Sequence, residues 1–128
     1  MFLIMLRRDL QIFLTALLLS FACANPAFAH AHLVSSAPAA NDMAMPAPTE
    51  LRLQFSEGIE LKFAKVTLAG SNKKAVATGV VKLDPHDDKL LIVPLAAPLE
   101  DGKYTVDWEV VSTDGHKTKG EYSFESMN

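Results

Sequence analysis

The sequence predicts an all-β fold, a small antiparallel immunoglobulin-like sandwich, and three observations support that prediction. Apolar and polar residues alternate over several short stretches after residue 30, which is the period of a half-buried strand. Turn-forming pairs such as Asp101-Gly102 separate these stretches. No segment after residue 30 carries a helical period. About seven short strands in roughly 100 residues is typical of such a sandwich.

The first 29 residues have the pattern of a cleaved secretory signal peptide. Arg7 and Arg8 precede an apolar run over residues 10–24, and Ala27 and Ala29 form a small-x-small cleavage box. The apolar run is shorter than the ~20 residues that a membrane-spanning helix needs. We therefore expect export across the inner membrane with cleavage after Ala29. Residues 30–128 would form one mature domain that is not embedded in the membrane.

Composition excludes several classes of protein. Cys23 is the single cysteine and lies in the predicted signal peptide. A disulfide scaffold, a multi-cysteine zinc site and a blue-copper site are therefore excluded, because each requires cysteine in the mature chain. The formal net charge of -3 argues against a nucleic-acid-binding protein, which would carry a basic excess.

The predicted strands follow one another with clear alternation. Leu51, Leu53 and Phe55 alternate with Arg52 and Gln54. Two longer stretches repeat the pattern, with the apolar residues Tyr104, Val106, Trp108, Val110, Tyr122 and Phe124. Shorter strands are predicted over residues 32–36, 64–68, 76–83 and 90–94. Since the apolar residues of each strand share one parity, we expect them, Trp108 included, to form the core.

Among the four histidines, His30 stands out because cleavage after Ala29 would make it the first residue. Its α-amine and ring Nδ1 would then close a chelate ring on a metal ion. The amine has a reference pKa of ~8, so a metal can displace its proton near neutral pH. Together with another imidazole, these nitrogens form a planar set that favours Cu(II). If the peptidase cuts elsewhere, His30 is an ordinary residue of the tail.

Asp114-Gly115-His116 offers further donors. The tripeptide joins two strongly predicted strands, so it should lie at one end of the sandwich. Residues two apart in an extended chain point to the same side, so the carboxylate and the imidazole could converge on one ion. The alternative is a plain Asp-Gly turn with an incidental histidine.

Two other histidines have competing interpretations. His32 is third from the predicted amino end, so the amine, two deprotonated amides and its imidazole could wrap Cu(II) without any fold. That arrangement needs a terminus whose amides are not committed to a β-ladder. His86 lies in a polar turn, Asp84-Pro85-His86-Asp87-Asp88, and is best interpreted as a solvated loop residue.

Several motifs, taken together and in order, resemble the CopC family of periplasmic copper-binding proteins, and most closely its methionine-poor, YobA-type branch. The similarity spans essentially all of residues 30–124. The motifs are His30-Ala31-His32-Leu33, Leu53-Gln54-Phe55-Ser56-Glu57-Gly58, Tyr104-Thr105-Val106-Asp107-Trp108, Val111-Ser112-Thr113-Asp114-Gly115-His116-Lys117 and Gly120-Glu121-Tyr122-Ser123-Phe124.

The resemblance implies an immunoglobulin- or cupredoxin-like β-sandwich with one Cu(II) site at one end. Its ligands would be His30, Asp114 and His116, with Glu57 beside the site as a residue that orients the ligands. It further implies a non-enzymatic periplasmic protein of copper homeostasis and resistance. Such a protein would carry or sequester Cu(II) and could deliver it to a CopD-type inner-membrane copper transporter.

Methionine content bears on the oxidation state of the copper. Some family members carry a methionine-rich segment that binds Cu(I) through soft thioethers. The comparable stretch here, residues 68–80, has no methionine, and only Met43, Met45 and Met127 follow residue 29. We therefore expect a Cu(II) protein, and the sequence gives thin support for a Cu(I) site.

An alternative function is a copper-dependent oxidative enzyme of the lytic polysaccharide monooxygenase type, which also holds its copper through an N-terminal histidine. A mature chain of roughly 100 residues leaves little area for a substrate platform. An anionic ligand such as Asp114 would stabilise Cu(II) over Cu(I) and hinder redox cycling. The sequence therefore favours a carrier over an enzyme.

Overall fold

The computed structural model describes residues 30–128, so the predicted signal peptide lies outside the described residues. Residues 30–128 contain nine strands and one 3-10 turn at Leu61–Phe63. The strands are β1 (Leu33–Ala37), β2 (Met43–Ala44), β3 (Glu50–Phe55), β4 (Lys65–Gly70), β5 (Ala75–Val76), β6 (Lys82–Asp84), β7 (Asp87–Pro94), β8 (Gly102–Val111) and β9 (Lys117–Ser126). The all-β prediction is confirmed.

The strands form two sheets that pack against each other as a sandwich. One sheet has the order β1-β3-β7-β6, and the other has the order β2-β9-β8-β4-β5. All strand pairs are antiparallel except β2 and β9, which are parallel. Within residues 30–128, no helix is long and apolar enough to cross a membrane.

The core lies between the two sheets, as the alternation predicts. Leu51, Leu53 and Phe55 of β3 are at most 1% exposed, and Val106 of β8 is fully buried. Trp108 packs edge-on against Phe55, with 5.1 Å between the ring centroids, so the tryptophan joins the two sheets. Its prediction as a core residue is confirmed. An aromatic pair in this edge-to-face geometry adds stability beyond the area it buries.

Strands β8 and β9 form the longest hairpin and set the position of the loop between them. The register runs from Gly102 opposite Ser126 to Val111 opposite Lys117. Because the two ten-residue strands are paired over their whole length, the loop of residues 112–116 is held at one end of the sandwich.

Two strand predictions differ from the structure. The predicted strand 76–83 is wrong, because β5 and β6 belong to different sheets. The chain crosses between the sheets there, and the amide of Gly79 donates to the carbonyl of Pro94 at 2.7 Å. The second difference is β2, which the sequence did not predict. It is two residues long because Pro46 follows Met45 and has no N–H to donate to the ladder.

Candidate metal centre

The loop that joins β8 to β9 is closed by its own backbone. The amide of Ser112 donates to the carbonyl of His116 at 2.9 Å, and the amide of Gly115 donates to the carbonyl of Ser112 at 2.8 Å. Gly115 has a φ of 89°, a left-handed conformation that glycine adopts without steric cost. The predicted Asp-Gly turn is therefore present, and it holds Asp114 and His116 on either side of the glycine.

Asp114 is held as a carboxylate by three donors. The hydroxyl of the fully buried Ser112 donates to Asp114 Oδ1. The Nδ1 atom of His116 lies 3.0 Å from Asp114 Oδ2, and the His116 amide donates to Oδ1 at 3.3 Å. These hydrogen bonds, that of Ser112 first, lower the pKa of Asp114 from 3.8 to about 2. The side chain is therefore ionised at any pH at which copper would bind.

The segment that carries His30 is attached to both sheets. Ala31 is fully buried in the core, and its carbonyl accepts a hydrogen bond from Thr118 Oγ1 on β9 at 2.7 Å. Ser56, directly after β3, accepts a hydrogen bond from the His32 amide at 3.0 Å and donates to the His30 carbonyl at 3.2 Å. Thr118 is two residues from His116, so the two side chains point to the same side of the extended chain. The contact between Thr118 and Ala31 therefore holds the neighbouring His30 beside the β8–β9 loop.

The structure brings the three residues predicted as copper ligands together. One ligand atom from each of His30, Asp114 and His116 lies within 4.8 Å of the others, and all three side chains are exposed. The two imidazole rings meet edge to face, with centroids 4.4 Å apart and an interplanar angle of 79°.

This spacing suits a single metal ion. With metal–ligand bonds of about 2.0 Å, neighbouring ligand atoms lie about 2.8 Å apart and opposite ones about 4 Å apart. The 3.0 Å between His116 Nδ1 and Asp114 Oδ2 already matches neighbouring ligands. Two nitrogen donors and one carboxylate are the donor types that tetragonal Cu(II) accepts.

The other two histidines lie outside this group. The His32 amide is committed to Ser56, and its Nδ1 lies 3.0 Å from Ser56 Oγ. Wrapping a copper ion with the terminal amides would break these contacts and release Ala31 from the core. The exposed His86 lies in the β6–β7 turn, where its amide donates to Asp84 Oδ1 at 2.8 Å. Within residues 30–128, only the group of His30, Asp114 and His116 has metal-binding spacing.

Sequence reasoning missed the residues that hold the ligands in place. We expected Glu57 to orient the ligands, and that role stays a prediction. Ser56, Ser112 and Thr118 hold the His30 carbonyl, the Asp114 carboxylate and the Ala31 carbonyl by hydrogen bonds. Because Thr118 is two residues from His116 in a predicted strand, its side chain could have been expected on the same side as His116. No pattern in the sequence shows that the carbonyl of Ala31 is its partner.

Comparison with known proteins agrees with this fold. A CopC domain matches residues 33–126. Protein YobA of Escherichia coli (strain K12) is 50% identical over 97 residues, which cover 76% of this chain and 78% of the relative. The crystal structure of CopC from Methylosinus trichosporium OB3b superposes with a TM-score of 0.71 at 30% identity, covering 76% of this chain and 93% of that one. The crystal structure of PcoC, a methionine-rich copper resistance protein from Escherichia coli, superposes with a TM-score of 0.69 at 35% identity, covering 77% of this chain and all of that one.

The structure is a two-sheet β-sandwich that carries a cluster of imidazole and carboxylate groups at one end. The chain belongs to the CopC family, whose members are periplasmic copper-binding proteins without enzymatic activity. Its relatives include copper resistance proteins.

Proposed function

We propose that the exported chain binds one Cu(II) ion per molecule and serves as a periplasmic carrier or sequestering protein in copper homeostasis and resistance. The ligands are the α-amine and ring nitrogen of His30, the carboxylate of Asp114 and the imidazole of His116. The observation that carries the proposal is the convergence of these three side chains within 4.8 Å.

Two features of the site favour reversible holding of a cation over chemistry on it. All three side chains are exposed, so the ion can enter and leave without opening the core. Asp114 is anionic at every relevant pH, and an anionic ligand stabilises Cu(II) over Cu(I). A site of this kind resists the redox cycling that the oxidative-enzyme alternative requires. Family membership also argues against that alternative.

Delivery to a CopD-type inner-membrane transporter is part of the same proposal. It rests on the resemblance to the CopC family and on the position of the site at one exposed end of the sandwich. A partner that docks at the β8–β9 loop would reach the copper ligands directly. No other part of the chain would need to move for the ion to be passed on.

Competitive titration of Cu(II) with single-site variants tests the ligand set. His30→Ala and His116→Ala should each weaken Cu(II) binding by at least about a hundredfold. Replacing a residue that only orients a metal ligand can already weaken metal binding by up to about a hundredfold. His86→Ala is the matched control, since this exposed histidine lies in another turn, and its affinity should equal that of the parent.

His32→Ala distinguishes this site from the alternative in which the amino terminus alone wraps around Cu(II) through its amides and the His32 imidazole. In the proposed site His32 supplies no ligand, so its loss should change the affinity little. If His116→Ala bound as tightly as the parent while His32→Ala lost the copper, the terminus alone would be the binding site and the proposal would be wrong.

A further inference from the structure

The 3-10 turn that precedes β4 exposes two large apolar side chains beside the candidate metal centre. Leu61 is 40% exposed and Phe63 is 50% exposed. The turn is attached to the last residue of β8, because the amide of Glu60 donates to the carbonyl of Val111 at 2.9 Å. The two apolar side chains therefore lie at the end of the sandwich that carries the β8–β9 loop.

Three exposed lysines lie on the outer face of the five-stranded sheet at this same end. Lys65 of β4 and Lys119 of β9 are the cross-strand neighbours of Glu109 on β8. The Nζ atom of Lys117 lies 3.0 Å from Glu109 Oε1. The hydrogen bond from Lys117 and the charges of the three lysines lower the pKa of Glu109, so this carboxylate balances only one of them.

The turn continues this lysine-bearing face. Ala64 is extended, with a φ of -74° and a ψ of 132°, so the side chains of Phe63 and Lys65 on either side of it point in the same direction. The Nζ atom of Lys62 lies 5.0 Å from the centroid of the Phe63 ring. The apolar side chains are therefore flanked by ammonium groups. We call this surface the turn patch, and it consists of Leu61, Lys62, Phe63, Lys65, Lys117 and Lys119.

Charge indicates what the turn patch can bind. The whole chain carries a formal net charge of -3, yet the patch sets four lysines against Glu60 and Glu109. Exposed phenylalanine and leucine beside lysine is the arrangement that binds anionic lipid, with apolar groups at the acyl boundary and ammonium groups at the phosphates. Asp107 and Glu121 face each other farther along the same sheet, so the favourable contact is confined to the end with the turn.

We propose that the turn patch binds the surface of an anionic phospholipid bilayer, with Leu61 and Phe63 inserted among the headgroups and the four lysines against lipid phosphates. The chain then lies on the membrane without spanning it. Because the candidate metal centre is at the same end of the sandwich, the copper ligands are held close to the membrane surface. This consequence for copper delivery rests on the proposed function, whereas the lipid contact itself uses none of the copper ligands.

Co-sedimentation of the exported chain with lipid vesicles tests the proposal. Vesicles of phosphatidylglycerol and phosphatidylethanolamine are compared with vesicles of phosphatidylcholine alone. The protein should bind the anionic vesicles and remain in solution with the neutral ones. Binding should weaken as the salt concentration rises, because salt screens the attraction between lysine and phosphate.

Leu61→Ser/Phe63→Ser tests the apolar part of the contact. The double variant should bind the anionic vesicles at least about tenfold more weakly, because two large apolar side chains no longer leave water. Val80→Ser is the matched control, since Val80 is 86% exposed and lies outside the turn patch, and its vesicle affinity should equal that of the parent.

Lys65→Gln and Lys119→Gln test the charged part. Each should weaken binding to the anionic vesicles by about fivefold, which is the contribution of one lysine near an anionic surface. Lys82→Gln is the matched control, because Lys82 is an exposed lysine on β6 of the other sheet, and it should bind like the parent.

A His30→Ala/His116→Ala variant should lose Cu(II) and still bind the vesicles, so failure of the copper site is distinguishable from failure of the lipid contact. The inference is overturned if the anionic vesicles do not retain the parent protein, or if the turn-patch variants bind them as tightly as their controls. It is equally overturned if the lipid-free parent is a dimer that Leu61→Ser/Phe63→Ser dissociates, because the patch would then be covered by a second copy.

Discussion

His30 supplies two nitrogen atoms to the proposed copper site only if its α-amine is free. The same residue inside a longer chain would offer its ring nitrogen and an amide, which is a far poorer donor. Asp114, by contrast, is already oriented without a metal ion, because the buried hydroxyl of Ser112 and the imidazole of His116 contact its carboxylate. The three nitrogen ligands, the amine and ring of His30 and the ring of His116, bind copper only in their deprotonated form, whereas the Asp114 carboxylate is already deprotonated.

The pKa of Asp114 predicts how copper affinity depends on pH. Because that pKa is lowered from 3.8 to about 2, the charged form persists as pH falls from 7 and is lost only as pH passes through about 2. The decline in Cu(II) affinity between pH about 7 and about 5 should therefore come from the imidazole and amine nitrogens alone.

Asp114→Asn provides the check on that pH dependence. It should lower the affinity at each pH but leave the slope of log affinity against pH near pH 5 unchanged, because the carboxylate releases no proton there. Isothermal titration at several pH values measures this slope. A slope reduced by one proton in the variant would show that Asp114 titrates in this range.

The residue after the end of β3 and the start of β9 together hold the amino-terminal segment of the described chain. Ser56 and Thr118 bond to consecutive carbonyls, those of His30 and Ala31, while Ala31 itself is buried in the core. The segment therefore keeps one geometry before the metal arrives. Pre-organisation of this kind improves affinity because less chain entropy is lost on binding.

Thr118→Val tests that attachment. Valine keeps the shape and the burial of threonine but cannot donate to the Ala31 carbonyl, so Cu(II) affinity should fall by about tenfold. Thr105→Val is the matched control, because it removes a half-buried hydroxyl of the same sheet that bonds to Ser123 at 3.2 Å. Thermal unfolding of the metal-free variants shows whether both remain folded. Equal copper affinities for the two variants would mean that Thr118 has no positioning role.

The alternation of apolar and polar residues predicted the strands in which that alternation is strict. It failed where a stretch becomes a strand only through pairing with another strand. Strands β3, β8 and β9 were predicted because their inward residues all have one parity. Residues 76–83 also read as one β stretch, yet Gly79 interrupts it and Val80 is 86% exposed where the chain leaves one sheet for the other. β2 has only two residues and exists through its pairing with β9, which no local signal reveals.

The same division holds for the candidate site. His30, Asp114 and His116 were predicted from ligand chemistry, the cleavage box and the family resemblance, and the structure places them together. The hydroxyl groups that orient them were not predicted, because serine and threonine occur throughout the chain. Their partners are backbone carbonyls up to 87 residues away in sequence.

The β8–β9 hairpin runs the length of the sandwich, and the β8–β9 loop with His30 lies at one end. The group of His30, Asp114 and His116 is therefore exposed at one end of the molecule, away from the core between the sheets.

Export and folding have to cooperate before the nitrogen site exists. In the proposed site, folding brings the residues after 29 to the β8–β9 loop, and removal of residues 1–29 would supply the amine. Neither process alone would complete the ligand set. We therefore propose that cleavage of a single peptide bond creates the tight Cu(II) site.

The most direct test compares Cu(II) affinity for two purified chains, one beginning at His30 and one carrying a single additional alanine before it. Mass spectrometry establishes the first residue of each chain. We predict that the extended chain binds Cu(II) at least about a hundredfold more weakly, since its amine can no longer close a chelate ring with the His30 imidazole. Equal affinity in the two chains would show that the α-amine of His30 is not a copper ligand.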